Sequence, residues 1–368
     1  MSNVTSTATP LDLLRGWLAA RKLDAAYITK PVSIAYLTGL SADPHERLMA
    51  LAVTQRGVTL IVPALEREKA EAAVKGGIGV VAWRDGEDAY TLVADALRGV
   101  GDVAVEKEHL SLLAAETLTG RIGVATLVDV GPEVRRLRLT KNAGELERLQ
   151  RAAAITDAAG DKVLESLRAG QSEIAVAEML AGFIAELGGT LSFDTLVQSG
   201  PNSAMPHARP SNRKLGRGDF VLIDFGAQVD GYKADSTRMA VIGEPSARHR
   251  EIHQVVLDAH DAAIAATRAG VTTGEIDAAA RKVIEAAGYG ENFFHRVGHG
   301  LGLEGHEDPS LDPGSTTVLE AGMVFTVEPG VYIPGWGGVR IEDDVVVTSD
   351  GCRVLTGQDR SLRVIKEG

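Results

Sequence analysis

Four carboxylates in the C-terminal part of the sequence form two pairs, and each pair flanks a turn. Asp224 and Asp235 flank an Asp-Gly dipeptide, a strong signal for a two-residue β-hairpin turn. Glu328 and Glu342 flank a longer Gly-rich stretch that begins at Pro334. Because the members of each pair lie about equally far from their turn, a hairpin would set them nearly opposite each other, roughly 4.5–5.5 Å apart, where like charges repel. Two divalent cations would neutralise these four charges, so the pattern predicts a two-metal site.

The setting of each candidate ligand distinguishes it from an ordinary polar residue. A single Asp at a strand end is more often a turn or capping residue than a ligand, but Asp224 closes the apolar run Val221–Ile223, where a buried charge needs a partner or a metal. Glu342 follows Arg340 on the same face of a predicted strand, so a same-face ion pair on a half-exposed strand is the alternative interpretation. His299 lies between two glycines, which permit close backbone approach, and is the fifth candidate ligand.

Two further histidines are candidates for function. His207 lies in a loop held by Pro206 and Pro210, and stiffly held loops often present functional groups. His306 shares a Gly-rich segment with His299. The other histidines are interpreted as structural or solvated, with His45 and His295 the least certain: His45, His109, His249, His253, His260 and His295.

Composition favours an ordinary globular protein and excludes several classes. The chain has 368 residues, 45% of them hydrophobic, which is enough for two domains with their own cores. A net charge of −12 argues against a nucleic-acid partner. The single cysteine, Cys352, excludes a disulfide framework and a thiolate zinc cluster. Since Met1–Pro10 lacks the apolar core of a signal peptide and no run reaches the roughly 20 apolar residues of a membrane span, we expect a cytoplasmic protein without membrane contact.

The first 132 residues alternate helical and strand-like patterns, which predicts an α/β layer domain over residues 1–132. Pro132 and the basic stretch Arg135–Arg138 mark the expected boundary. Helices are predicted over Leu11–Lys22, Leu65–Val74 and Asp88–Leu97, and strands over Arg47–Val53, Val58–Val62, Ile78–Val81, Val103–Val105 and Val124–Val128.

Residues 140–368 are predicted to form a second domain in which long helices separate the two acidic hairpins, so the whole chain is expected to be α+β. The repetition of helices followed by an acidic hairpin suggests an internal pseudo-symmetry. Helices are predicted over Asn142–Leu167, Ser172–Leu187, Ala247–Ala269 and Thr273–Ala287, and strands over Phe220–Asp224, Met323–Val327 and Val339–Thr348.

Seven motifs in this part of the chain together resemble the Xaa-Pro peptidases of the pita-bread metallopeptidase fold, which include prolidase and aminopeptidase P. The resemblance covers the C-terminal two-thirds of the chain and extends more faintly to the N-terminal domain through Ala35–Gly39. The matching stretches are Ser199–Ala204 with Pro206-His207, Ile223–Gly226, Ala234–Arg238, His295–Leu303, His306–Pro309, Val327–Gly330 and Val339–Asp343.

The resemblance implies an N-terminal α/β creatinase/prolidase-like domain followed by a C-terminal pita-bread catalytic domain. It also implies that a hydroxide bridging two divalent metals hydrolyses the peptide bond that precedes proline. An oxygen-rich set with one imidazole suits Mn²⁺ best, although Co²⁺ or Zn²⁺ could occupy it. The implied metal ligands are Asp224, Asp235, His299, Glu328 and Glu342.

The resemblance also implies roles for the residues around the metals. Glu328 would carry the proton from the nucleophile to the leaving proline nitrogen. His207 and His306 would line the pocket and contact the substrate or the developing oxyanion. Arg340 would orient a metal ligand from the same strand face.

Whether the substrate is a dipeptide or a longer peptide remains open at this point. A prolidase must bind the free carboxylate of the proline, which favours an arginine, and related enzymes dimerise so that a loop reaches the neighbouring site. We therefore hypothesise that Arg47, in the charged loop Asp43–Arg47, binds this carboxylate from the partner subunit of a homodimer; the alternative is a solvated arginine. An aminopeptidase P acting on longer Xaa-Pro peptides is the alternative function. Methionine aminopeptidases, creatinases and a non-catalytic scaffold fit less well, because the N-terminal domain, the His207 loop and all five ligands are present.

Overall fold

A computed structural model describes residues 8–123 and 126–366. The chain separates into two compact units, Met1–Arg138 and Leu139–Gly368. The basic stretch predicted as a boundary lies within a helix, Gly131–Leu139, and the domain limits 1–132 and 140–368 stay a prediction. None of the helices in residues 8–123 and 126–366 has the length and apolarity that a membrane crossing requires.

The described residues of the first unit form six α-helices, the last of which ends at Leu139, one short 3-10 helix, Ala64–Glu66, and six strands. The helices are α1 Pro10–Ala20, α2 Pro31–Thr38, α3 Arg67–Ala73, α4 Ala89–Ala96, α5 Leu112–Ile122 and α6 Gly131–Leu139. The strands are β1 Ala25–Ile28, β2 Ala50–Thr54, β3 Val58–Pro63, β4 Ile78–Trp83, β5 Asp102–Val105 and β6 Thr126–Asp129.

These strands form one mixed sheet with helices on both faces, as the alternating pattern predicts. The strand order is β4-β3-β2-β1-β5-β6, and β1 is antiparallel to β2 but parallel to β5. Because side chains alternate along a strand, Ala26 and Ile28 pack into the core beneath α1 and α2, whereas Tyr27 packs into the core beneath α4 and α5.

The structure differs from the prediction around the second strand. The strand predicted over Arg47–Val53 begins only at Ala50. The residues before it form a turn, in which His45 has a φ of 53° and the Arg47 backbone N–H donates to Pro44, so this segment cannot join the sheet. The last predicted strand corresponds to β6; its first residue, Val124, lies outside the described residues.

The second unit contains four long helices and a larger set of short strands in its described residues, 139–366. The helices are α7 Ala143–Ser166, α8 Glu173–Glu186, α9 Ala247–Ala266 and α10 Thr273–Ala286. The strands are β7 Thr190–Leu191, β8 Leu196–Ser199, β9 Phe220–Phe225, β10 Ala227–Val229, β11 Tyr232–Lys233, β12 Ser236–Ile242, β13 His299–Gly300, β14 Glu307–Ser310, β15 Val324–Val327, β16 Gly330–Ile333, β17 Gly337–Arg340, β18 Asp343–Val347, β19 Cys352–Val354 and β20 Arg363–Ile365.

Polar caps start the long helices at or near the predicted positions. The Asn142 side chain accepts hydrogen bonds from the first turn of α7, while Glu145 accepts from the Asn142 backbone N–H, forming a capping box. Ser246 and Thr272 cap α9 and α10 in the same way. The helix α9 ends at Ala266, three residues before its predicted end, because the backbone turns extended at the next residue.

The helices of the second unit cover sheets that carry the acidic hairpins. One sheet has the order β20-β12-β9-β8, and another has the order β14-β13-β15-β18-β19. The predicted strand Val339–Thr348 is two strands, β17 and β18, interrupted at Ile341 and Glu342. This interruption frees Glu342 to pair with another part of the chain.

Candidate metal centre

The first acidic hairpin turns at Asp230-Gly231, as predicted. Both residues have positive φ, 49° and 84°, which a two-residue turn of this kind requires. The register is shifted from the predicted one, because Asp224 lies opposite Thr237 and not opposite Asp235. Since residues two apart share a strand face, Asp224 and Asp235 are diagonal neighbours on one face. The sequence predicts that they lie nearly opposite each other, and in the structure they are offset by two residues.

A close backbone crossing explains why this hairpin bends beside the site. Gly226 separates β9 from β10, and a Cβ at this position would lie 1.8 Å from the Ala234 carbonyl oxygen. Only glycine fits there. The crossing lets the chain turn between the two strands that carry Asp224 and Asp235.

The second hairpin keeps the predicted register. Val327 pairs with Asp343, and Gly330 pairs with Arg340; the same register sets Glu328 opposite Glu342. Between the two ladders Glu342 leaves its own hairpin and forms an isolated antiparallel bridge with Thr237. Since Thr237 is also the partner of Asp224, this bridge joins the two acidic hairpins.

His299 completes the cluster from a segment that passes close to β15. A Cβ at Gly298 would lie 1.8 Å from the Thr326 carbonyl oxygen, so glycine is required for this approach. His299 Nε2 lies 3.3 Å from Glu328 Oε1 and 4.0 Å from Asp235 Oδ2. One ligand atom each from Asp235, His299 and Glu342 lie within 4.8 Å of one another.

The protonation of this cluster fits a bound cation. His299 Nδ1 lies 3.1 Å from the Gly300 carbonyl oxygen, which can only accept, so the lone pair is on Nε2 and faces the carboxylates. Burial, with a contribution from His306, lowers the pKa of His299 to about 3. An imidazole lone pair and carboxylate oxygens face one another here, an arrangement that a bound cation would stabilise.

The carboxylates give the same indication. Within the described residues, the buried Oδ1 atoms of Asp224 and Asp235 have no hydrogen-bond partner. Burial and neighbouring carboxylates raise the pKa of Asp235 and that of Glu342 well above their usual range. Burial also raises the pKa of Glu328 to about 7, although Arg340 opposes this rise. The donor set is therefore suited to divalent metal ions.

Arg340 connects three of the surrounding groups and is itself buried. Its Nη2 donates to Asp224 Oδ2, its Nη1 donates to the Tyr332 hydroxyl at 3.0 Å, and its Nε donates to Thr237 Oγ1 at 3.0 Å. The strand β17 that carries Arg340 is fully buried, so the half-exposed ion pair considered as an alternative is wrong. Arg340 Nε lies 4.0 Å from Glu342 Oε2, a longer contact than the one to Asp224.

A cavity of about 940 Å³ opens beside the cluster. Three histidines of the cavity wall differ in exposure: His207 and His306 are exposed, and His295 is half-buried. The His306 ring stacks on the His299 ring with centroids 3.7 Å apart. The apolar part of the wall consists of Phe193, Leu196, Pro206 and Phe294, and charged residues at the wall include Asp194, Arg209 and Arg296.

Both halves of the chain match known family models. Residues 147–349 match metallopeptidase family M24, and residues 10–140 match the creatinase/prolidase N-terminal domain. The chain belongs to metallopeptidase family M24. The family and the predicted fold class, a creatinase/prolidase N-terminal domain followed by an M24 domain, are thereby confirmed.

Similar proteins carry both names that the sequence analysis left open. The M24 chain is 42% identical over 363 residues to a Xaa-Pro dipeptidase of Lactobacillus helveticus, covering 96% of this chain and 98% of that one. It also resembles the structure of a Xaa-Pro dipeptidase from Bacillus anthracis, with 36% identity, a TM-score of 0.90 and coverage of 97% and 99%. A structure titled X-Pro aminopeptidase, from Thermotoga maritima MSB8, matches with 33% identity, a TM-score of 0.88 and coverage of 96% and 99%.

Sequence analysis missed three residues that contact the M24 site. Thr237 donates its hydroxyl to Glu342 Oε2 at 2.6 Å. His295 Nδ1 lies 2.7 Å from a carbonyl oxygen, so its Nε2 accepts a hydrogen bond from the Tyr332 hydroxyl at 3.0 Å. Alternation from Asp235 to Thr237 and from Glu328 to Tyr332 would have placed Thr237 and Tyr332 on the faces that carry ligands.

A buried ion pair beneath the His306 segment was also missed. Lys141 Nζ lies 2.8 Å from Glu307 Oε1, and both side chains are at least 94% buried. The Glu307 carboxylate also accepts from the Glu304 backbone N–H at 3.3 Å. These contacts fix the residue that follows His306, and no local pattern links residues 166 positions apart.

Arg47 lies in the first unit, where the structure gives its guanidinium a partner. Nε and Nη2 each donate to one oxygen of Asp85 at 2.9 Å, and Nη1 lies 3.0 Å from Glu46. The hydrogen bonds to Asp85 raise the pKa of Arg47 further above its usual range. The Asp85 carboxylate thus occupies the guanidinium fork that a substrate carboxylate would use. If Arg47 binds the proline carboxylate, an interaction called the Arg47 clamp below, that carboxylate must displace Asp85.

The cluster predicts a pH dependence for metal binding. Because burial keeps His299 neutral well below pH 6, protons compete with metal mainly at the carboxylates, whose pKa values are raised. We expect Mn²⁺ binding to release protons near pH 7 and to weaken as the pH falls. Calorimetry in two buffers of different ionisation enthalpy measures the released protons.

The same raised pKa values determine how the stability of the metal-free protein changes with pH. A carboxyl whose folded pKa lies above its unfolded value stabilises the folded state at low pH, and this stability is lost as the pH rises through the folded pKa. The contribution of Glu328 to the stability of the metal-free protein should therefore fall as the pH rises from about 4.5, the usual pKa of a glutamate, to about 7, the raised pKa of Glu328. In the presence of a chelator, a wild-type melting temperature that rises over this interval relative to that of Glu328→Gln would contradict the prediction.

Proposed function

We propose that this M24 protein hydrolyses the peptide bond that precedes proline in Xaa-Pro dipeptides, with two divalent metal ions, Mn²⁺ as the preferred species, held by Asp224, Asp235, His299, Glu328 and Glu342. The observation that carries the proposal is the buried cluster of carboxylates around His299 Nε2 beside an open cavity. When bound, the ions would polarise the scissile carbonyl and lower the pKa of the attacking water. The names of the relatives favour a Xaa-Pro substrate.

Glu328 is suited to move the proton in this reaction. Its carboxylate lines the cavity, where it can accept a proton from the attacking water and later donate it to the proline nitrogen. The water oxygen then bonds to the carbonyl carbon, and the bond from this carbon to the protonated nitrogen breaks. Thr326 Oγ1 donates to Glu328 Oε1 at 3.3 Å, which holds the carboxylate toward the cavity.

His306 is proposed to bind the developing oxyanion. Arg296 Nη2 lies 3.3 Å from His306 Nδ1, and since a guanidinium can only donate, Nδ1 accepts and the proton of the neutral ring is on Nε2. This N–H is a hydrogen-bond donor at the wall of the cavity. His207 lines the same cavity from its proline-bounded loop and is proposed as a second substrate contact.

Substitution of His306 by alanine should lower kcat/KM by about 10²-fold, the lower end for loss of an oxyanion donor. His306→Phe is the matched variant, because it keeps an aromatic ring against His299 but removes the donor. We expect the two variants to be similarly impaired in steady-state kinetics. Full activity in His306→Phe would mean that stacking, and not hydrogen bonding, is the function of this residue.

The test of the function is Mn²⁺-dependent cleavage of a matched Xaa-Pro dipeptide and Xaa-Pro-Yaa tripeptide, with a chelated control. Cleavage confined to the dipeptide supports the prolidase proposal. Equal or better cleavage of the tripeptide supports aminopeptidase P, the function named for the Thermotoga maritima structure. No metal-dependent cleavage of either peptide would reject the proposal.

Arg47 is proposed to bind the proline carboxylate within a homodimer. Arg47→Ala should then raise KM for the dipeptide and leave kcat almost unchanged. Asp85→Asn is the matched variant, since it removes the carboxylate that competes for the guanidinium fork, and should not raise KM. Intact dipeptide cleavage by Arg47→Ala would reject the Arg47 clamp. The homodimer and the cytoplasmic location stay predictions.

A further inference from the structure

A second charged cluster lies directly behind the candidate metal ligands. Arg238 follows Thr237, and Asp343 follows Glu342, so alternation places both on the opposite side of their strands from the metal site. Arg238 is 2% exposed and Asp343 is fully buried. A buried ion pair of this kind stabilises little by itself, which raises the question of what it positions.

The contacts of Arg238 converge on the bridge that joins the two acidic hairpins. Its Nη1 donates to the carbonyl oxygen of Thr237 at 3.0 Å and to that of Glu342 at 2.6 Å. These two residues are the partners of the isolated bridge. One nitrogen of one side chain therefore holds the backbone of both hairpins.

The other end of the guanidinium is fixed by groups from distant parts of the chain. Arg238 Nη2 donates to Asp343 Oδ1 at 2.7 Å and to the Gln358 carbonyl oxygen at 2.9 Å. Asp343 Oδ2 lies 3.0 Å from His260 Nε2 of α9 and accepts from Arg360 Nε. Both terminal nitrogens of Arg238 thus donate two hydrogen bonds each, whereas its buried Nε has no hydrogen-bond partner among the described residues. Lysine could not reproduce this forked geometry.

The segment from Gly357 to Arg360 is in turn attached to α7. The backbone N–H of Gly357 donates to Asp157 Oδ2 at 2.7 Å, and Gln358 Nε2 donates to Asp161 Oδ1 at 3.1 Å. This segment therefore links α7 to the back of the cluster. It also leads into β20, which pairs with β12, the strand of Arg238.

We propose that Arg238 is a positioning residue that fixes the separation of the two carboxylate-bearing hairpins, and that Asp343 and Arg360 hold it in place. The inference rests on the proposed metal site. Asp224 and Asp235 come from one hairpin and Glu328 and Glu342 from the other, so ions shared between them require a fixed separation. Groups that orient metal ligands typically change metal affinity by about 10–100-fold.

The experiment measures Mn²⁺ affinity by calorimetry and the melting temperature with Mn²⁺ or with a chelator. Arg238→Lys keeps a positive charge, but one ammonium group cannot donate at the same time to the carbonyl oxygens of Thr237, Glu342 and Gln358 and to the carboxylate of Asp343. We expect it to bind Mn²⁺ about 10-fold more weakly, at the lower end of the effects of such groups. The stabilisation that Mn²⁺ gives over the chelated form should shrink in parallel. A merely structural role would lower both melting temperatures equally and leave the affinity unchanged, which would overturn the inference.

Arg360→Met keeps the inference testable if Arg238→Lys does not fold. The Arg360 side chain is 30% exposed, and Asp343 keeps its contacts with Arg238 and His260 when the Arg360 guanidinium is removed, so we expect the variant to fold. Its Mn²⁺ affinity should be lowered about 3-fold, a smaller effect than that of a directly orienting group. Unchanged affinity would overturn the inference. Arg353→Met is the matched control, because this exposed arginine of β19 contacts Gln150 and should leave the affinity unchanged. A wild-type protein that binds no Mn²⁺ would instead reject the proposed function.

Discussion

Glu328→Gln should lower kcat for a Xaa-Pro dipeptide by about 10³-fold, within the range for removal of a general base. The amide keeps the size of the side chain and can still accept the hydrogen bond from Thr326. It cannot take a proton from water or return one to nitrogen. Steady-state kinetics at saturating Mn²⁺ measures the loss. A variant with more than about a tenth of the wild-type kcat would show that another group carries the proton.

Glu328→Asp is the companion variant for this prediction. It retains an ionisable carboxyl but withdraws it by one methylene from His299 Nε2, now 3.3 Å away. We expect intermediate activity, because the chemistry is kept while the geometry is not. Equal losses in the two variants would assign the effect of Glu328 to metal binding alone.

Asp235→Asn should reduce Mn²⁺ affinity by more than about 100-fold, because a direct ligand should exceed the largest effects of groups that only orient ligands. Activity should fall in proportion at a limiting metal concentration. The same variant should raise the melting temperature of the metal-free protein at pH 8, since burial and four neighbouring carboxylates already disfavour a charge on Asp235 and raise its pKa. Calorimetry and thermal unfolding with a chelator check the two effects.

This prediction is specific because Asp235→Asn should weaken the metal-bound form and stabilise the metal-free form. A residue that only supports the fold would destabilise the protein with or without metal. The Asp235 backbone N–H donates to Asp344 Oδ2 at 3.0 Å, and this contact survives the substitution. A metal-free Asp235→Asn protein that melts below the metal-free wild type would contradict the charge-repulsion argument.

The candidate ligands were accessible from sequence because local turn signals and strand alternation determine which face a side chain occupies. The Asp-Gly turn fixed the hairpin that carries Asp224 and Asp235, although the actual register is shifted from the predicted one. For Glu328 and Glu342 the predicted opposition agrees with the observed ladders. Their roles as metal ligands stay predictions until metal binding is measured.

Contacts between distant segments could not be predicted. Nothing in the sequence around Glu342 indicates that it leaves its ladder to pair with Thr237, because this depends on how two hairpins meet. The burial of Arg340 and its hydrogen bond to Asp224 depend on the same meeting. Similarly, the segment Arg47–Met49 has strand-like residues, but the turn at His45 keeps it outside the sheet.

The turns that follow the four long helices of the second unit repeat with a separation of 100 residues. Gly170 and Gly270, with φ of 82° and 89°, follow α7 and α9, and Gly188 and Gly288, with φ of 84° and 85°, follow α8 and α10. Each half of the second unit thus delivers one acidic hairpin, and neither half alone contains the four carboxylates. Metal capture therefore depends on both halves being folded at once. A bound ion would report their joint formation and couple their unfolding into a single transition.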